Sequence, residues 1–208
     1  MTLGIGTLAL LLALLAYGVS KKLPATSIDT SLEEGRPVAA PPFLLGVLAP
    51  GNLGASFPGR VDSDLHRRAV SLRELRGVPL ALNFYASWCV TCQAEAPTIE
   101  QAWRSQARSH GVLLLGVDIQ DATVDARRYI RRYRIGYPNL RDPAGELAQR
   151  YQVTGVPETF FIDAQGQIVA HIIGAASRPQ LTAGIAAART GKVRGAHIGN
   201  GGLQRPLG

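Results

Sequence analysis

Both cysteines of the chain fall in one short stretch, Trp88-Cys89-Val90-Thr91-Cys92. Two thiols at this spacing form a redox dithiol, or half of a metal site. If a helix starts here, positions i and i+3 share a face. One sulfur then reaches the other while the first stays exposed. At a helix N-terminus the unsatisfied N–H groups and the dipole favour an anion, which makes Cys89 the attacking thiolate. The preceding run, Leu80 to Ala86, is apolar throughout and reads as a buried strand of the parallel-sheet kind.

The rest of the chain must position that pair. At 208 residues, 46% hydrophobic and 18% charged, it holds one well-buried domain plus appendages. Two cysteines exclude a disulfide framework. The four histidines (His66, His110, His171, His197) are scattered, so the spacing gives no zinc site and no metal ligand is assigned. The net charge of +7 is mostly arginine. Its densest run is Arg127, Arg128, Arg131, Arg132 and Arg134, on a helix expected over 123–133 whose other face carries Tyr129, Ile130 and Tyr133. A solvated helix face accounts for it, and no recognition motif for nucleic acid accompanies it.

Thr2 to Ser20 carries no charge and ends at Lys21-Lys22. At helical rise it spans about 28 Å, enough to cross a bilayer core. Residues 1–20 therefore read as a membrane anchor, with a cleaved signal segment as the alternative. Lys21-Lys22 conflict with an external domain under the positive-inside rule, although large domains translocate despite such charges. Residues 21–37 read as a linker, 38–189 as the domain, and 190–208 as a disordered tail rich in glycine and polar residues. Within the domain, strands are expected near 43–47, 69–72, 80–86, 112–117, 159–162 and 168–173. Residues 49–59 read as a loop. Helices are expected after the cysteines to about Arg108, kinked at Pro97, and over 123–133, 145–151 and 179–189. The order β-β-α-β-α-β-β-α predicts an α/β fold with a central mixed sheet and helices on both faces.

The segment Asn83-Phe84-Tyr85-Ala86-Ser87-Trp88-Cys89-Val90-Thr91-Cys92-Gln93-Ala94-Glu95 resembles the active-site segment of the TlpA/ResA/CcmG-type thioredoxin-like proteins. Gly155-Val156-Pro157-Glu158-Thr159-Phe160-Phe161-Ile162-Asp163 resembles the same family's second signature. Glu158 after the proline is typical of the CcmG (DsbE) branch, which reduces apocytochrome c disulfides. The resemblance covers roughly 38–189 and implies a thioredoxin-like fold. It implies a cis Val156–Pro157 bond in a loop facing the dithiol, whose backbone edge takes an extended substrate segment as a strand. It also implies an extracytoplasmic, periplasmic-side domain fed by a membrane thiol carrier of the CcdA or DsbD type. Where ordinary thioredoxins carry a buried Asp, this chain has Asn83, which cannot act as a base. Glu95, three residues past Cys92, is the branch's carboxylate position and takes that role.

The expected chemistry is attack by Cys89 on a substrate disulfide, then resolution of the mixed disulfide by Cys92, with Glu95 as base. Trp88 is expected to cover the pair as an apolar lid, beside a substrate edge at Val156 and Pro157. No charge lies between the cysteines, which favours a reductant. A general disulfide oxidase or isomerase, a thiol peroxidase and a non-catalytic haem or apocytochrome-binding module are the competing classes.

Overall fold

The computed structural model describes residues 26–205. The expected membrane span or signal segment, with Lys21-Lys22, lies outside them. No helix among the described residues is long and apolar enough to cross a membrane.

Nine strands form one mixed sheet: β1 (Val38–Ala39), β2 (Leu44–Ala49), β3 (Ala69–Ser71), β4 (Leu80–Tyr85), β5 (Leu113–Ile119), β6 (Asn139–Asp142), β7 (Glu158–Ile162), β8 (Gln167–Ile173) and β9 (Gly195–Ile198). The order is β1-β8-β7-β4-β5-β6-β2-β3, with β9 also on β8. β4, β5 and β6 run parallel, while β7 joins β4 antiparallel. Every residue of β4 and β5 is buried, because helices cover both faces of these central strands.

The helices are α1 (Ser27–Glu33), α2 (Gly59–Leu65), α3 (Val90–Ala102), α4 (Thr123–Arg132), α5 (Glu146–Arg150) and α6 (Arg178–Thr190). Pro97 lies inside α3 without ending it, and a π-helical turn, Trp103–Ala107, continues it. On α4 the four arginines face solvent and Tyr129 is buried, as the arginine spacing predicts.

Three expectations need correction. The linker over 21–37 contains α1, whose Thr26 hydroxyl accepts from the Asp29 N–H while Asp29 accepts from the Thr26 N–H. Buried Ile28 and Leu32 dock this helix on the core. The tail after Thr190 is not disordered over its described part. Gly191 ends α6 in the left-handed conformation (φ 70°), and β9 then pairs in parallel with Ala170–Ile173. β6 went unexpected because Asn-Leu-Arg-Asp carries no strand signature. Its side chains are held singly instead: Asn139 accepts from the Tyr85 hydroxyl, and Asp142 from the Ala148 N–H.

Candidate active site

β4 delivers the chain to Ala86, and α3 starts at Val90 with Cys89 as its N-cap. The Cys89 sulfur accepts a hydrogen bond from the Cys92 N–H at 3.0 Å. It therefore occupies the place of a capping oxygen, facing donors that the first helical turn leaves unpaired. Such a position favours a thiolate over a thiol. Cys89 and Cys92 are joined as a disulfide.

The loop before β7 comes against this pair. The Val156–Pro157 bond is cis, and the Val156 carbonyl oxygen lies 3.6 Å from the Cys89 sulfur. Glu158, just beyond, does not face the cysteines. It is fully buried, accepts from the N–H and hydroxyl of Thr154, and bonds Nε2 of His171 at 3.1 Å. It thus ties down the loop that carries Val156.

Glu95 is buried on α3, one turn past Cys92. Its carboxylate accepts from the Ala176 N–H at 2.6 Å and from the Asn83 side-chain amide at 3.3 Å. Burial pushes its pKa up to about 7, against the opposing effect of those two hydrogen bonds. A carboxyl poised there takes and gives a proton near neutrality. Asn83 also donates to the Thr159 hydroxyl at 3.0 Å, linking β4, α3 and β7 in one buried network.

Trp88 is half-buried against the core, and its indole N–H donates to the Gln120 carbonyl at 3.1 Å. The Ser87 N–H donates to Asp121 at 2.6 Å. Arg141 in turn donates to the Asp121 carbonyl and the Thr123 hydroxyl, both at 2.6 Å. Asp118, buried beneath, has its pKa raised to about 8 by burial and by Asp121, with Arg141 opposing. The Tyr129 hydroxyl donates to the Cys92 carbonyl at 2.9 Å. Gln120, Asp121, Arg141 and Tyr129 thus brace the cysteine loop. Sequence reasoning missed this role, since none lies near the motif along the chain.

One expectation fails at the centre of the site. Cys89 does not stay exposed: it and Cys92 have relative exposures of 0% and 1%. The backbone edge at Val156 is also filled. Gln204 makes both hydrogen bonds of an antiparallel bridge with Val156, at 2.9 and 2.8 Å.

A thioredoxin-like sheet presenting a helix-capping Cys-x-x-Cys beside a cis-proline loop defines a thiol–disulfide oxidoreductase. The chain belongs to the AhpC/TSA family, whose profile matches residues 53–171. It is 26% identical over 129 residues to the thiol-disulfide oxidoreductase ResA of Bacillus thuringiensis subsp. konkukian, covering 62% of this chain and 74% of that one. It is 31% identical over 124 residues to the thiol:disulfide interchange protein DsbE of Pseudomonas fluorescens biotype C, covering 59% and 67%. Among solved structures, a thioredoxin-family thiol:disulfide interchange protein from Chlorobium tepidum TLS superposes with a TM-score of 0.58 at 24% identity. That match covers 74% of this chain and 97% of the other.

Proposed function

We propose that the protein is a membrane-anchored, extracytoplasmic disulfide reductase that reduces apocytochrome c during cytochrome c maturation. The observation that carries the thiol–disulfide exchange reading is the placement of the Cys89 sulfur on the Cys92 N–H, next to the Val156 carbonyl. In the reduced protein the Cys89 thiolate attacks one sulfur of the substrate disulfide, and the other substrate sulfur leaves as a thiolate. Cys92, deprotonated by Glu95, then attacks the Cys89 sulfur and releases the second substrate thiol. Two electrons pass to the substrate, and the Cys89–Cys92 disulfide remains.

Likeness to the DsbE of Pseudomonas fluorescens supports the client class. The uncharged Val90-Thr91 pair between the cysteines, which adds no charge to stabilise the reduced thiolate, supports the reducing direction. The apolar residues 2–20 support the anchor. A domain outside the cytoplasm lacks soluble NADPH-fed reductases, so its electrons come from a membrane dithiol carrier of the CcdA or DsbD type.

The test is the equilibrium reduction potential of the full chain. Dithiols of this kind span about −270 mV for a reductant to about −120 mV for a strong oxidant. A value near the low end, with turnover of a disulfide-bonded apocytochrome c, is expected. A value near the high end replaces this reading with that of a disulfide-inserting oxidase.

A further inference from the structure

The residues after β9 run back across the cysteine loop. The Gly199 N–H donates to the Ile173 carbonyl and the Asn200 N–H to the Ala175 carbonyl, both at 2.7 Å. Gly201 then passes Thr91 so closely that a Cβ there would lie 2.8 Å from the threonine methyl and 3.0 Å from the Ala175 Cβ. Leu203 and Gln204 pass Gly155, where a Cβ would come within 3.0 Å of both. Gln204 bridges Val156 through its backbone, and its side-chain carbonyl accepts from the Thr91 N–H at 3.4 Å. Arg205 closes the run, donating to the Thr154 carbonyl at 2.9 Å. The family profile ends at residue 171, well before this segment.

We propose that residues 199–205 are an internal strap that occupies the substrate edge at Val156 and selects which disulfides reach Cys89. The inference rests on the reading of that edge as the place where substrate backbone docks. An antiparallel bridge is the pairing an extended peptide makes when it adds to a strand edge. The strap therefore competes for the same N–H and C=O groups that a client would use. Leu203 and Gln204 are only half-buried, and Gly202 and Arg205 are exposed. Hydrogen bonds rather than apolar burial hold the segment, as in regions that open locally while the domain stays folded.

The consequence is discrimination. A client with extended backbone beside its disulfide replaces the bonds it displaces. A small disulfide without amide groups, such as bis(2-hydroxyethyl) disulfide, replaces none, and reacts only in the fraction of molecules whose strap has opened. Each bond removed from the strap raises that fraction by roughly two- to tenfold.

Two variants of the reduced full-length protein test this. Gln204→Pro removes the N–H that donates to Val156, and Gly201→Val places side-chain atoms against Thr91 and Ala175. Both are expected to react with bis(2-hydroxyethyl) disulfide on the order of tenfold faster than the unaltered chain. Reaction with a disulfide between two extended cysteine peptides should rise less. Unchanged rates with bis(2-hydroxyethyl) disulfide in both variants would overturn the strap while leaving the thiol–disulfide chemistry intact. If no form exchanges with either disulfide, the proposed function itself fails. Amide hydrogen exchange at Gln204, whose N–H donates to the Val156 carbonyl, in the unaltered protein then decides the strap independently of any variant. Protection that is lost on adding the reduced extended peptide is expected, and an amide that exchanges freely without peptide would rule the strap out.

Discussion

The side-chain amide of Asn83 donates to Oε2 of Glu95 across 3.3 Å of buried protein. A neutral donor thus stands where ordinary thioredoxins place an acid, and the only carboxyl in the pair is on α3. That donor favours the charged form of Glu95, which burial disfavours more strongly, leaving a pKa of about 7. The arrangement gives one proton acceptor, close to the dithiol along the helix and tuned to neutral pH.

In the proposed mechanism the Glu95 carboxyl serves as base only when ionised, so the resolving step should accelerate as pH rises through about 7 and then level off. Glu95→Gln should abolish that rise and slow resolution by about a hundredfold at pH 8. Stopped-flow decay of a preformed mixed disulfide, measured from pH 5.5 to 8.5, checks it. A wild-type profile in the variant would remove Glu95 from the mechanism.

The same carboxyl predicts a stability effect of definite sign. Its folded-state pKa is raised from 4.5 to about 7, so its contribution is fully present below pH 4.5 and is lost as pH rises through 7. For the oxidised protein the loss is about 3 kcal/mol between these limits. Denaturant unfolding of wild type and Glu95→Gln across that range should diverge by this amount, the variant showing the flatter profile. Parallel profiles would show that Glu95 is solvated in solution.

Asn83→Asp should give two carboxyls in hydrogen-bonding contact that share one proton, and their titration becomes a joint property. The kinetic rise should move upward by at least about one pH unit. An unmoved profile would mean that Asn83 does not communicate with the base.

Cys92→Ser should accumulate a mixed disulfide between Cys89 and the substrate, visible as a higher-mass species on non-reducing electrophoresis. Cys89→Ser should trap nothing, because the Cys89 sulfur, not that of Cys92, caps the helix and lies beside the Val156 edge. Trapping by Cys89→Ser alone would reverse the two roles.

His171 lies between two acids, with Nδ1 at 2.7 Å from Asp29 and Nε2 at 3.1 Å from Glu158, and its ring stacks on Phe160. Burial alone would lower its pKa, but the hydrogen bonds and charges of both acids raise it above 6.5. Its contribution to stability is therefore present below pH 6.5 and lost as pH rises through the raised folded value. His171→Leu leaves two buried acids facing an apolar side chain and should cost about 3–5 kcal/mol at pH 6. Denaturant midpoints measure it, and a loss below about 1 kcal/mol would show that the acids find other partners.

The parts of the site written locally could be read from the sequence. Cys89 and Cys92 lie one helical turn apart, so their type and spacing marked the dithiol, while Glu95 and Val156-Pro157 were reached through the resemblance of their segments to a known family. The central strands were legible for the same reason, being continuous apolar runs. What escaped depends on partners distant along the chain. His171 looked like one of several scattered histidines until the fold set it between Asp29 and Glu158. Asp121 and Arg141 brace Ser87 from loops that no motif marks. α1 carries a legible signal, Thr26 followed three residues later by Asp29, inside a stretch whose Pro, Ser and Gly content reads as a linker. The tail was misread because glycine composition suits both disorder and close packing. At Gly201 the absent side chain is what lets the backbone pass Thr91.

The sheet has a further property in its margins. One side ends in β3, three residues long, and the other in β8, covered in separate pieces by two-residue β1 and four-residue β9. Among the described residues, neither margin offers a long run of unpaired backbone to a neighbouring molecule, which is how sheets avoid joining edge to edge. Opposite ends of the described chain share the work on β8, so proteolytic loss of either end uncovers part of it. Cleavage after Lys192 would strip β9 from Ala170-His171-Ile172-Ile173 and leave an apolar strand edge open to solvent. Such clipping turns a finished margin into a template for aggregation.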